Sequence, residues 1–368
     1  WGTTNVTRMD STGKLGQVYE LLDRFIAEGQ VNAAAVAVGW KGEQVGEYQA
    51  GSSREGIAAS AETIWPLASI SKVYTAAMVM ALVERGLLTL SMPVHLVLPE
   101  LSGDGKEAIT FRHLLTHTSG LVYESPEMEQ RLIDQTSING LIAEVYTYPL
   151  QFEPGTRHAY SDYNYLLAGH AASVVAGTPF PDLVREHVIE PGGLADTWMP
   201  PSDAVEPRLA RVVGPLAEGT SGDMYNSPYG LGLAHPAFGT CATVSDLMRF
   251  GLLFAPSSER RILSDASIRT MTTDQTGGGT PGSFPGMGGD KAMPWGIGFD
   301  VKGERGIGGD ITSNRTFGHG GATGCILRVD PEDDIVIAYV SNKHARTGRF
   351  PFTRRQVSVV NAVTAALT

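Results

Sequence analysis

The chain has 368 residues, with 28 lysines and arginines against 39 aspartates and glutamates, for a formal charge of −11. That balance, without a basic block, argues against a nucleic-acid partner or an anionic-membrane surface. A 42% hydrophobic content supplies core for one large domain or two or three smaller ones, and no apolar run approaches the roughly 18 residues of a membrane span.

Taken in chain order, Leu15, Val18, Leu21, Leu22, Phe25 and Ile26 recur at helical spacing, which predicts a helix over 13–28 closed by Gly29. "AAAVAVGWKGEQVGEYQAG" then reads as two strands joined at Lys41-Gly42. An almost wholly apolar helix follows in "PLASISKVYTAAMVMALVERG" (66–86). From 87 to 235 the pattern is helical with Pro- and Gly-rich connections, clearest in "FRHLLTHTSGL" (111–121) and "YLLAGHAASVVAG" (165–177). "TTDQTGGGTPGSFPGMGGDKAMP" (272–294) is too glycine-rich for a regular element, and reads as a surface loop or a mobile rim over a cleft. Strands return in "WGIGFDV" (295–301), "TFGHGG" (316–321) and the hairpin "CILRVDPEDDIVIAYVSN" (325–342), before an amphipathic helix near 352–367.

Strands and a helix at each end, with helices between, predict an α/β (α+β) fold. One antiparallel sheet, flanked by the terminal helices, would come from 1–86 and 236–368, and 87–235 would be a mainly helical inserted domain. A cleft between the two is the expected site.

Cys241 and Cys325 read as buried small hydrophobes, and their pairing is not legible in sequence. With no C-x-x-C and no H-E-x-x-H, no metal or cofactor is expected. Nothing near Trp1 resembles a signal-peptide core. That slightly favours a soluble cytoplasmic protein, although a cleaved leader would leave the same start. Oligomeric state is not legible.

The chain lacks G-x-S-x-G, a P-loop and a dinucleotide fingerprint. What remains is S-x-x-K, which occurs twice: Ser11 to Lys14 and Ser69 to Lys72. Three residues apart on a helix, a hydroxyl and an amine share one face, which suits a nucleophile activated by an amine. For Ser69 and Lys72, an N-cap serine and a snorkelling lysine account for the pair equally well. Tyr160, near a helix start in "HAYSDYNYLLAG", is a candidate proton partner for Lys72, or packing. "FGHGGATG" (317–324) permits close backbone approach by a ligand, or is a tight turn.

In order, S-I-S-K (69–72), Y-S-D (160–162) and H-G-G (319–321) resemble the three signatures of the penicillin-recognising serine enzymes. The nearest branch is that of class C β-lactamases, D-alanyl-D-alanine carboxypeptidases and β-lactamase-like esterases. "HLLTHTSGL", "FEPGTRHAYSDYNYLLAG", "GLADTWMPP", "TVSDLMRFG" and "WGIGFDV" extend the likeness over nearly the whole chain, and the Ser11 pair has no such company.

The resemblance implies a β-lactamase/transpeptidase-like fold and an acyl-enzyme mechanism. Ser69 would be the nucleophile, Lys72 its proton acceptor, and Tyr160 the group that polarises Lys72 and serves the leaving group. The backbone N–H groups of Ser69 and Ala322 would form the oxyanion hole. Asp162, His319, Gly320 and Gly321 would contact substrate. Lys72 would be satisfied by Tyr160 and Ser69. Asp162 stands where the family often has an amide donor, and His319-Gly320 where it often has lysine and a hydroxyl; both changes weaken recognition of an anion. A carboxylesterase acting on a small-molecule ester is therefore the expectation. The alternatives are a D,D-carboxypeptidase, D-aminoacyl amidase or β-lactamase, or an acyltransferase using the same acyl-enzyme.

Overall fold

The structure is a computed structural model that describes residues 8–277, 281–284, 287–292, 294–303, 308–345 and 352–368. From the N-terminus, β1 (Arg8–Asp10) and α1 (Gly16–Ala27) precede the hairpin β2 (Ala33–Trp40) and β3 (Glu43–Arg54). Both residues of its turn are left-handed, Lys41 at φ 54° and Gly42 at φ 84°, the geometry that matches strand twist in two-residue hairpins. Short strands β4 (Ile57–Ala58) and β5 (Trp65–Pro66) lead to α2 (Ser71–Glu84). The middle of the chain carries α3 (Phe111–Leu115), β6 (His158–Ala159), α4 (Asp162–Ala176) and β7 (Thr197–Trp198). Then come β8 (Cys241–Ala242), α5 (Val244–Leu252), β9 (Pro281–Phe284), β10 (Met287–Ala292), β11 (Asp300–Val301), β12 (Phe317–Gly321), β13 (Cys325–Asp330), β14 (Ile335–Ser341) and α6 (Phe352–Leu367).

The main sheet runs β1-β3-β2-β14-β13-β12-β11, with β4 on β3, and all its pairs are antiparallel. Strands from both ends of the chain interleave at its centre, where Ala37 of β2 faces Ala338 of β14. Alternation assigns the two faces. Val36, Val38, Ile326, Ile337 and Tyr339 pack under α1 and α6, while Ala35, Ala37, Leu327, Val336 and Ala338 face the larger core with α2 and α5. Glycine sets one spacing: a Cβ on Gly251 of α5 would lie 2.6 Å from Val336 Cγ1, so the helix sits directly on the sheet. Helix α2 is buried from Ser71 to Leu82, which explains why its sequence has no polar face.

Four expectations need correction. The helix expected over 111–121 stops at Leu115, because His117 turns left-handed at φ 56°. The strand expected over 295–301 is confined to Asp300–Val301. Ser69 does not begin the α-helix but lies in a 3-10 turn, Ala68–Ile70, before α2. The glycine-rich 272–294 segment contains strands β9 and β10, paired antiparallel, with β9 running parallel to β6; its residues 278–280, 285–286 and 293 lie outside the described set. Cys241 and Cys325 are buried and free. Among the described residues no helix is long and apolar enough to cross a membrane, and no cluster suited to a metal ion occurs.

Candidate active site

The turn carrying Ser69 is fastened on three sides. Leu67 N donates to Thr240 O at 2.9 Å, Thr323 Oγ1 donates to Pro66 O at 2.7 Å, and Ser71 Oγ donates to Ala68 O at 2.7 Å while accepting from Thr240 N at 2.8 Å. Ala68 takes φ 49°, a left-handed conformation that costs a non-glycine residue on the order of 1–2 kcal/mol and is held by those bonds.

One turn along, Lys72 is fully buried, with Nζ 3.1 Å from Ser69 Oγ, 3.2 Å from Ala237 O and 2.6 Å from Asp162 Oδ1. The first two contacts are hydrogen bonds and the third is an ion pair. Burial pushes its pKa below the ordinary lysine value, and the Asp162 carboxylate, with a lesser pull from Glu124, opposes that shift. The expectation that Tyr160 and Ser69 satisfy the lysine is thus incomplete: its nearest partner is Asp162. The second S-x-x-K does not reach this site. Ser11 Oγ donates to Val45 O at 3.2 Å, and Lys14 Nζ lies 5.8 Å from the Trp40 ring centre.

Strand β6 ends at Ala159 and α4 starts at Asp162, so Tyr160 occupies the bend between them. Ser161 caps α4, its hydroxyl accepting from Asn164 N at 3.4 Å. Tyr160 shares a side-chain hydrogen bond with Ser69, and its ring centre is 4.8 Å from Lys72 Nζ. Burial holds the phenol well above its usual pKa, and the nearby Asp162 charge adds to the effect.

Strand β12 brings the third segment. A Cβ on Gly321 would lie 2.2 Å from Leu67 O, so only glycine lets this strand edge meet the turn carrying Ser69. Ala322 follows it half-buried, its carbonyl accepting from Ala345 N at 2.7 Å. Gly320 is different: nothing lies closer than 3.8 Å to the position of its missing Cβ. His319 Nδ1 sits 2.6 Å from Gly320 O. A carbonyl only accepts, so Nδ1 carries a proton. The ring is 2% exposed, and burial, with the neighbouring Lys72 charge, lowers its pKa to about 3. Neutral His319 is no substitute for a cation.

The structure thus brings Ser69, Lys72, Tyr160 and Asp162 into bonded contact, with His319, Gly320 and Gly321 on the adjoining strand. Chemically, the cluster can pass a proton from a hydroxyl nucleophile to a buried amine and on through a phenol. Its one buried ammonium is already paired. Sequence reasoning missed His117 and Trp295, whose ring centroids lie 4.3 Å and 5.9 Å from that of Tyr160, and His158, which packs behind them at 5.3 Å from Trp295. His117 and His158 stand inside two of the supporting stretches, "HLLTHTSGL" and "FEPGTRHAYSDYNYLLAG", which was the available signal.

The family model described as Beta-lactamase matches residues 18–362. A penicillin-binding protein 4 from Amycolatopsis lactamdurans is 29% identical over 355 residues, covering 90% of this chain and 86% of its own. An esterase, EstB, from Burkholderia gladioli is 35% identical over 150 residues, covering 37% of this chain and 38% of its own. Among solved structures, a penicillin-binding protein homologue from Caulobacter crescentus superposes with a TM-score of 0.80 at 24% identity, covering 99% of this chain and 100% of its own.

Proposed function

Because the chain belongs to the beta-lactamase family of serine hydrolases, we propose that it is a carboxylesterase acting through an acyl-Ser69 intermediate. The observation that carries this reading is the charge state of the cleft. Lys72 is spent on Asp162 at 2.6 Å, and His319 is neutral with its proton committed to Gly320 O. Neither group offers a free positive charge to a substrate carboxylate, which anionic β-lactams and peptides ending in D-alanine both present. The local likeness to an esterase points the same way.

In this mechanism Lys72 in its neutral form, which burial favours, takes the proton of Ser69 Oγ as that oxygen attacks the ester carbonyl. Tyr160 relays that proton to the departing alkoxide, so the alcohol leaves neutral. The N–H groups of Ser69 and Ala322 receive the developing oxyanion. Water then attacks the acyl-enzyme, and its proton passes through the Tyr160–Lys72 pair to Ser69 Oγ as the acyl–oxygen bond breaks and the acid leaves. The substrate is a small-molecule ester.

Intact-mass spectrometry tests this with wild type and Ser69→Ala, each mixed separately with p-nitrophenyl butyrate and benzylpenicillin. The reading expects a transient butyryl adduct and no lasting penicilloyl adduct, with neither in the variant. A stable penicilloyl adduct on Ser69 would move the assignment to a peptidoglycan-type enzyme.

A further inference from the structure

His117 lies outside the Ser69–Lys72–Tyr160 cluster, yet it meets the backbone on both sides of Tyr160. Its carbonyl accepts from Ala159 N at 2.8 Å, and its ring Nδ1 accepts from Ser161 N at 3.1 Å. The residues immediately before and after Tyr160 are therefore held by a single side chain and its own main chain. The ring lies 4.3 Å from the Tyr160 ring at 31°, close to stacked.

The orientation of this clamp is fixed by a directed chain of hydrogen bonds. Leu121 N donates to Ser119 Oγ at 3.0 Å, so Ser119 turns its own proton to Asn164 Oδ1 at 2.5 Å. With its oxygen so engaged, Asn164 presents Nδ2 to His117 Nδ1 at 3.1 Å. Nδ1 thus faces two donors, Ser161 N–H and Asn164 Nδ2–H, and must be unprotonated. His117, Asn164 and Ser119 are all at least 99% buried. Burial, together with the positive side chain of Lys72, keeps the imidazole neutral in the folded protein.

We propose that His117 is a positioning residue for Tyr160. It fixes the phenol against Ser69 and Lys72 by acting as a neutral double acceptor, and it takes no proton in the reaction. Helix α3 places it there by ending early: the left-handed turn at His117 swings ring and carbonyl to the same segment. The proposal rests on the acyl-Ser69 reading for its kinetic consequence, but not for its structural one.

Two substitutions separate the parts of the clamp. His117→Asn keeps an acceptor where Nδ1 stands and loses the ring; His117→Phe keeps the ring and loses the acceptor. With p-nitrophenyl butyrate, His117→Phe is expected to lower kcat by about 100-fold at a KM within threefold of wild type, and His117→Asn to recover kcat to within tenfold. In proteins labelled with 13C at the tyrosine ζ carbon, the Tyr160 resonance, assigned through Tyr160→Phe, should hold its position in His117→Asn and shift or broaden in His117→Phe. Equal kcat for the two variants, or an unmoved Tyr160 resonance in folded His117→Phe, overturns the proposal. Should His117→Phe not fold, Ser119→Ala frees the Asn164 amide without touching Tyr160, and is expected to lower kcat severalfold at constant KM and broaden the same resonance. An unchanged Ser119→Ala enzyme would then count as refutation. If wild type forms no acyl adduct, the esterase reading fails, and the NMR result still decides the clamp.

Discussion

Lys72 Nζ stands 2.6 Å from Asp162 Oδ1 with the lysine side chain fully buried and that of the aspartate 7% exposed. Two opposing forces act on the ammonium. Burial strips its hydration and favours the neutral amine, while the carboxylate favours the cation. A base at this position is useful only if the first force is not overwhelmed by the second. In the proposed mechanism Asp162 therefore tunes the group that takes the Ser69 proton.

Asp162→Asn removes the opposing force, so the Lys72 pKa should fall further. A base acts when deprotonated, and activity rises with pH through its pKa. The acidic limb of kcat/KM for an ester should consequently move to lower pH, by about one unit or more. The amide also supplies a donor to the cleft, so penicillin acylation should rise from its wild-type level. A pH–rate profile and an adduct measurement check the two halves separately; an unmoved limb would mean that Lys72 is not the base.

Lys72→Ala and Tyr160→Phe should each lower kcat for p-nitrophenyl butyrate by roughly 10²–10⁴-fold, the range for a lost proton-transfer group. Ser11→Ala and Lys14→Ala should leave it unchanged. Steady-state kinetics on the four purified variants, with circular dichroism as a folding control, provide the comparison.

The adjacent glycines of β12 should behave oppositely. Gly321→Ala would drive a methyl to 2.2 Å from Leu67 O, between the strand edge and the nucleophile turn. It should cost about 3 kcal/mol and abolish turnover. Gly320→Thr meets nothing closer than 3.8 Å at its Cβ and should fold with an unchanged urea midpoint. Its hydroxyl would add a donor for an anionic substrate. Urea unfolding and penicillin acylation of each variant test the pair.

The buried histidines predict how stability depends on pH. His158 is depressed from 6.5 to about 4 and His319 from 6.5 to about 3, both by burial. The unfolded chain takes up protons near pH 6.5 that the folded protein refuses. Stability is therefore complete above that pH and falls as pH drops toward 4 and then 3, by up to about 1.4 kcal/mol per pH unit for each histidine. The urea midpoint should be flat from pH 7 to 8.5 and decline from pH 6.5 to 5. His158→Gln should make that decline shallower, and an unaltered slope would show that His158 titrates normally.

What was legible in sequence followed from short-range geometry. Ser69 and Lys72 are three residues apart, and a helical turn alone brings them together. The hairpin of β13 and β14 announced itself by alternation around a polar turn. The order of the three signatures anticipated which distant segments meet, because their residue types are unusual in combination. Contacts with no local signature were not legible. The Lys72–Asp162 pair and the His117–Ser161 bond join segments that only the packing of α2, α3 and α4 makes neighbours. Strands β9 and β10 escaped notice because main-chain pairing, not side-chain pattern, holds a glycine-rich segment extended. The early end of α3 was hidden for a related reason: a left-handed histidine looks, in sequence, like a helical one.

The central place of β2 in the sheet has a consequence for synthesis. Its partner β14 is among the last strands made, so the β2–β3 hairpin leaves the ribosome with an apolar edge from Ala33 to Val38 and nothing to pair with it. Ser69 and Lys72 are already present at that stage, but Thr323 and the strand that abuts Leu67 are not. A nascent chain thus holds Ser69 and Lys72 without their setting, and the proposed acyl-Ser69 chemistry would have to await the final segment. Such late, long-range closure predicts slow folding and a window in which the exposed edge is the chief route to aggregation.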